Sequence, residues 1–138
     1  MTAQAEQFSY VSRNPALGPS TFLPFLPITL GLGQTSRQSM GLLDTAATVN
    51  VLPYDIGQQL GADWNKQTVP IQLTGNLASQ EARGLLLTAT VGKFSAVQLA
   101  FAWTKSNAVP LLLGQVNFVM EFDVCFFRSQ LRFEVKPK

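Results

Sequence analysis

Gly41-Leu42-Leu43-Asp44-Thr45-Ala46-Ala47-Thr48-Val49 sets an aspartate directly after an apolar strand and follows it with small residues. A carboxylate there is desolvated unless something holds it. The commonplace reading, an Asx-turn or a side chain facing water, therefore stands beside a functional one. A second stretch tips the balance. Pro110-Leu111-Leu112-Leu113-Gly114-Gln115-Val116-Asn117-Phe118, near the end of the chain, carries an apolar-apolar-glycine run.

Taken together and in this order, the two stretches resemble the retropepsin family, the single-domain aspartic proteases, and within it a cellular, non-viral member. In that family an apolar pair precedes Asp-Thr/Ser-Gly-Ala, and a later apolar-apolar-Gly segment threads beside it to complete a ψ-shaped loop. The resemblance extends from near Phe25 to the tail. It implies an all-β, closed acid-protease barrel with one short helix near the C-terminal part. It also implies that Asp44 is catalytic and that the Thr45 hydroxyl hydrogen-bonds across to a second copy. Leu112-Leu113-Gly114 match the segment that supports the loop, and Ala46, Thr48 and Leu112 fall at substrate-binding positions. The turn Thr74-Gly75-Asn76, with Leu77, lies where the family keeps its flap, matched by position and turn chemistry only. Val49, Leu73, Leu77 and Leu112 would shape the subsites. Leu131 to Val135 would be a strand of an interdigitated dimer sheet.

The dimer has a chemical argument of its own. Hydrolysis of this kind needs two carboxylates sharing one proton, so that one polarises the scissile carbonyl while the ionised one activates a water. Asp55, Asp63 and Asp123 are not followed by Thr or Ser and then a small residue. The second carboxylate must come from a second chain, and a C₂ homodimer sets Asp44 against its own symmetry mate.

Two departures from the family pattern bear on activity. Ala46 replaces the glycine that follows the Thr, and its methyl group would crowd a bound peptide or strain the turn. Viral retropepsins often pair an Asp with an Arg where this chain has Thr48 and Gln115. Both charges are missing together, so none is left buried alone, and a neutral Thr48–Gln115 hydrogen bond is expected instead.

Composition narrows the alternatives. The 138 residues are 46% hydrophobic and 13% charged, with a net charge of +2, which suits one domain with a real core and excludes a two-lobed enzyme. With no histidine and one cysteine, Cys125, Ser-His-Asp and Cys-His schemes, histidine zinc sites and an internal disulfide all fall away. No cofactor or metal is expected. The ten Lys and Arg residues form no stripe, so nucleic acid is not an expected partner. Pro24 and Pro27 interrupt the one long apolar stretch and the start lacks a signal-like pattern, so no membrane association is expected and a soluble, cytoplasmic protein is.

Short apolar runs between turn residues predict strands at 25–32, 39–43, 48–52, 68–73, 85–91, 94–103, 109–113 and 131–135. The polar 33–38 reads as a hairpin loop and Gly92-Lys93 as a tight turn. Pro53 to Leu60 reads as a short helix closed by Gly61, and Gln115 to Glu121 as one or two helical turns. Residues 1–20 are aperiodic and read as a flexible arm, with the protease-like domain over 21–138. Cys125 reads as a buried small residue, and Trp64 and Trp103 as core or interface anchors. The Phe-rich patch from Phe118 to Phe127 reads as core. The expected function is an aspartic endopeptidase acting on peptide or protein substrates as a homodimer. The alternative is a weakly active or inactive dimer of the same fold that binds peptides or serves assembly.

Overall fold

Strand β2 (Phe25–Leu32) puts Leu26, Ile28 and Leu30 on one face, all buried, and pairs antiparallel with β3 (Thr35–Leu43). The computed structural model describes residues 4–138. Leu32 opposes Thr35, so the connection is the two-residue turn Gly33-Gln34, with Gly33 at φ 59°. That left-handed conformation is open to glycine without cost and matches the twist of a tight hairpin. The six-residue loop expected over 33–38 is therefore mostly strand, polar because Ser36 and Gln38 face solvent.

Strands β4 (Val51–Leu52), β5 (Ala82–Thr90), β6 (Val97–Thr104) and β7 (Leu112–Leu113) complete a closed barrel in the order β2-β3-β7-β4-β6-β5. β7 runs parallel to β3 and antiparallel to β4, which is parallel to β6. This is the ψ-like crossing. The strands expected at 48–52 and 109–113 shrink to two residues each because their flanks leave the ladder to build the crossing loops. In the β5–β6 hairpin Ala89 opposes Val97, so residues 91–96 form the connection where a two-residue turn was expected. Residues 68–73 make only an isolated bridge, Pro70 to Arg83; proline has no N–H to extend a ladder.

Two short helices accompany the barrel. In α1 (Tyr54–Gln59) the Tyr54 carbonyl accepts from Trp103 Nε1 at 3.1 Å, and its ring stacks on Trp103, which also meets Trp64 edge-on. Both tryptophans are core residues. α2 (Phe118–Glu121) starts three residues later than expected, because Gln115 and Val116 belong to the crossing segment, paired through their N–H groups with the Ala47 and Thr48 carbonyls.

A second sheet, β1-β9-β8, is built from β1 (Glu6–Ser9), β8 (Phe122–Phe127) and β9 (Arg132–Pro137). The first three residues of the expected arm lie outside the described residues. Beyond them the chain is not an arm. β1 pairs with β9 along its whole length, Phe8 stacks on Phe133 at 5.5 Å, and Tyr10 is buried. Because β9 is hydrogen-bonded by β1 on one edge and β8 on the other, it has no free edge for the partner strand that an interdigitated sheet requires. Cys125 is exposed rather than buried, since the strand period turns it to the outer face with Asp123. Of the Phe-rich patch, Phe118 and Phe122 are core and Phe126 is exposed. No helix is long and apolar enough to cross a membrane among the described residues.

Candidate active site

β3 ends by delivering Asp44 to the crossing. Leu42 N–H donates to the Leu111 carbonyl (2.9 Å) and Asp44 N–H to the Leu113 carbonyl (3.1 Å), so the residue is fixed against the parallel β7. Its half-buried carboxylate accepts from Ala46 N–H at 3.0 Å, and its carbonyl from Ala47 N–H at 3.1 Å. The commonplace Asx-turn and the candidate site are thus one structure: the turn aims the carboxylate.

The loop is stitched to the late segment by its backbone. Gln115 N–H donates to Ala47 carbonyl and Val116 N–H to Thr48 carbonyl, at 3.0 and 2.7 Å. The Gln115 side chain donates to the Thr45 carbonyl, not to the Thr48 hydroxyl, which is exposed. The expected Thr48–Gln115 side-chain bond is corrected accordingly; the main chain already joins the two segments, which leaves the amide free for the nearer carbonyl. Gly114 permits the approach, since a Cβ there would sit 2.5 Å from the Val49 carbonyl oxygen.

Asn50 was not foreseen. It is fully buried, its side chain accepting from Gly114 N–H and donating to the Ala100 carbonyl, while its N–H donates to Asn117 Oδ1. A polar residue inside the apolar run Val49-Asn50-Val51-Leu52 was the signal for it, because a buried amide survives only where it is fully paired.

These elements border a cleft of about 570 Å³. Asp44, Ala46, Thr48, Thr74, Gly75, Asn76 and Leu112 all line it, as do Val49, Leu73 and Leu77. Thr45 does not; it is exposed beside the cleft. Gln72, Val51, Leu42 and Pro110 belong to the lining and had not been singled out. The turn expected at Thr74-Gly75-Asn76 is a 3₁₀ turn over Gly75–Leu77, and the Gln72 amide holds it by donating to the Leu73 and Ala78 carbonyls. Asp44 is the single charged residue of the lining. Beneath it Leu73, Ala82, Val109 and Leu112 form a small apolar cluster. Ala46 takes no strain from its turn: among the described residues Leu131 alone combines a side chain with positive φ. Its methyl group instead faces the cleft.

No family model matches the chain, and no curated protein matches it in sequence. Among solved structures, a retropepsin-like aspartic protease from Rickettsia conorii superposes with a TM-score of 0.60 over 97% of this chain and 92% of that one, at 17% identity. A closed six-strand barrel with a ψ-like crossing and two short helices, together with that superposition, gives this chain the retropepsin-like single-domain fold.

Proposed function

We propose that the chain is a cellular, non-viral aspartic endopeptidase whose site is completed by a second copy of itself. One observation carries the reading: a lone carboxylate, Asp44, held by its own turn in the lining of an otherwise uncharged cleft. The aspartic protease from R. conorii of like fold supports it. In the dimer, one ionised Asp44 takes a proton from water as the water oxygen attacks the scissile carbonyl carbon. The protonated Asp44 of the other copy gives its proton to the carbonyl oxygen. Collapse of the tetrahedral intermediate breaks the C–N bond: the nitrogen leaves with the proton the first carboxylate took up, and a hydroxyl proton of the intermediate returns to the Asp44 of the other copy. The exposed, unpaired Cys125 fits a reducing compartment, the cytoplasm.

The test is digestion of a peptide library between about pH 3.5 and 7, with Asp44→Asn in parallel and sedimentation at low concentration. Cleavage that is lost in the variant, from a protein that is dimeric, is the expected result. Cleavage that survives it overturns the mechanism. A second reading is favoured by the Ala46 methyl group in the cleft: a dimer of weak or no activity that binds peptides or serves assembly. It predicts peptide binding without turnover.

A further inference from the structure

The core-facing partners of β3 on β2, Leu30 and Ile28, are buried, so apolar residues belong opposite them. Two polar ones stand there. Arg37 opposes Leu30 and Ser39 opposes Ile28. Arg37 Nη1 and Ser39 Oγ are shielded from solvent with no hydrogen-bond partner among the described residues. Such groups are costly unless something is recruited to them. Both residues line a cavity of about 560 Å³ that also takes in Arg13, whose guanidinium lies 5.3 Å from the Phe25 ring centre. Neither arginine has a carboxylate within 4.0 Å among the described residues. Asp55, in the first turn of α1, is the cavity's one acidic group, so the lining is net positive. Pro110 borders both this cavity and the Asp44 cleft.

We propose that this cavity is a carboxylate subsite, reading an acidic side chain of a peptide bound across Asp44; the proposal rests on the peptide reading of that cleft. A guanidinium matches a carboxylate with two parallel N–H bonds, and a second arginine raises the discrimination. A peptide passing Pro110 brings neighbouring residues to the arginines.

The experiment uses the full chain carrying Asp44→Asn, so that binding is read without turnover. Amidated peptides differing only by Glu or Gln at each position are titrated by fluorescence anisotropy, while NMR follows the arginine Nε–Hε signals. One Glu position is expected to bind roughly tenfold tighter than Gln, to shift the Arg13 and Arg37 signals, and to lose its advantage in Arg37→Gln. Arg13→Gln, at an exposed residue, gives the same answer should Arg37→Gln fold poorly. A gain from a free C-terminal carboxylate alone supports the subsite with the chain end as its source. Equal binding of Glu and Gln peptides with unmoved arginine signals overturns the subsite and leaves the Asp44 reading intact. Should no peptide bind, the Asp44 reading fails and the subsite that rests on it is overturned with it.

Discussion

Asn50 Oδ1 accepts a 2.8 Å hydrogen bond from Gly114 N–H at a position closed to solvent. The same side chain donates to the Ala100 carbonyl at 3.1 Å, and the Asn50 carbonyl accepts from Ala102 N–H at 2.8 Å. One residue therefore ties β4, β6 and the crossing segment, and the Asp44 loop hangs on that crossing through Gln115 and Val116. Asn50→Ala leaves the Gly114 N–H buried without a partner and removes the part-buried bond to the Ala100 carbonyl. At about 1–3 kcal/mol for the orphaned N–H and about 0.5–1.5 kcal/mol for the part-buried bond, the expected loss is about 2–4 kcal/mol, read as a lowered urea midpoint with unchanged slope. A loss below about 0.5 kcal/mol would mean the two groups find other partners.

Gly114 and Gly41 both lack room for a side chain, but the obstacles differ. A Cβ on Gly114 meets the Val49 backbone, at 2.5 Å from its oxygen and 2.6 Å from its carbonyl carbon. On Gly41 it meets the Leu113 side chain at 2.7 Å. A leucine can change rotamer, whereas Val49 cannot move without dragging the Asp44 loop. Gly114→Ala is expected to cost about 3 kcal/mol and Gly41→Ala about 1 kcal/mol. Denaturant titration of the two variants checks the order; Gly41→Ala as the worse of the pair would contradict the crossing geometry.

Much of this arrangement is legible in the sequence because it follows from periodicity and two local motifs. Alternation marks β2, β5 and β6, and the Asp44 and Gly114 stretches announce the crossing. What escaped depends on long-range pairing. Glu6–Ser9 carries no apolar alternation strong enough to mark a strand, and becomes one because β9 offers it an edge and Phe133 a ring. The brevity of β4 and β7 is set by where the crossing segments depart. Gln115 was assigned a partner by family analogy, and found a nearer acceptor in the Thr45 carbonyl once the backbones had met.

Ala46→Gly separates a dormant site from a working one. The turn has ordinary φ at Ala46, so glycine relieves no strain and costs at most about 1 kcal/mol in backbone entropy. What it removes is a methyl group from the cleft. If that methyl limits peptide approach, kcat/KM rises at least several-fold, on the order of the factor of 10 that 1.4 kcal/mol represents. Stability falls slightly. A rise in stability with unchanged turnover would show that the methyl group had strained the turn and never met substrate.

Removal of residues 1–20 tests whether the fold stands without the first strand of its second sheet. The segment supplies Tyr10, buried against Phe133, and Phe8, stacked on the same ring. Glu6 also anchors the β5–β6 connection by accepting from Lys93 N–H at 2.7 Å. Arg128 grips the following stretch, donating to the Phe22 and Pro19 carbonyls at 2.7 and 3.1 Å. Losing one large buried aromatic alone costs about 3–5 kcal/mol, a large share of the 5–15 kcal/mol typical of a whole domain. The truncated chain is expected to lose its near-UV circular dichroism and cooperative unfolding, while Tyr10→Ala keeps both at a lower midpoint. A truncated chain that unfolds cooperatively at the full-length midpoint would return these residues to the status of an arm.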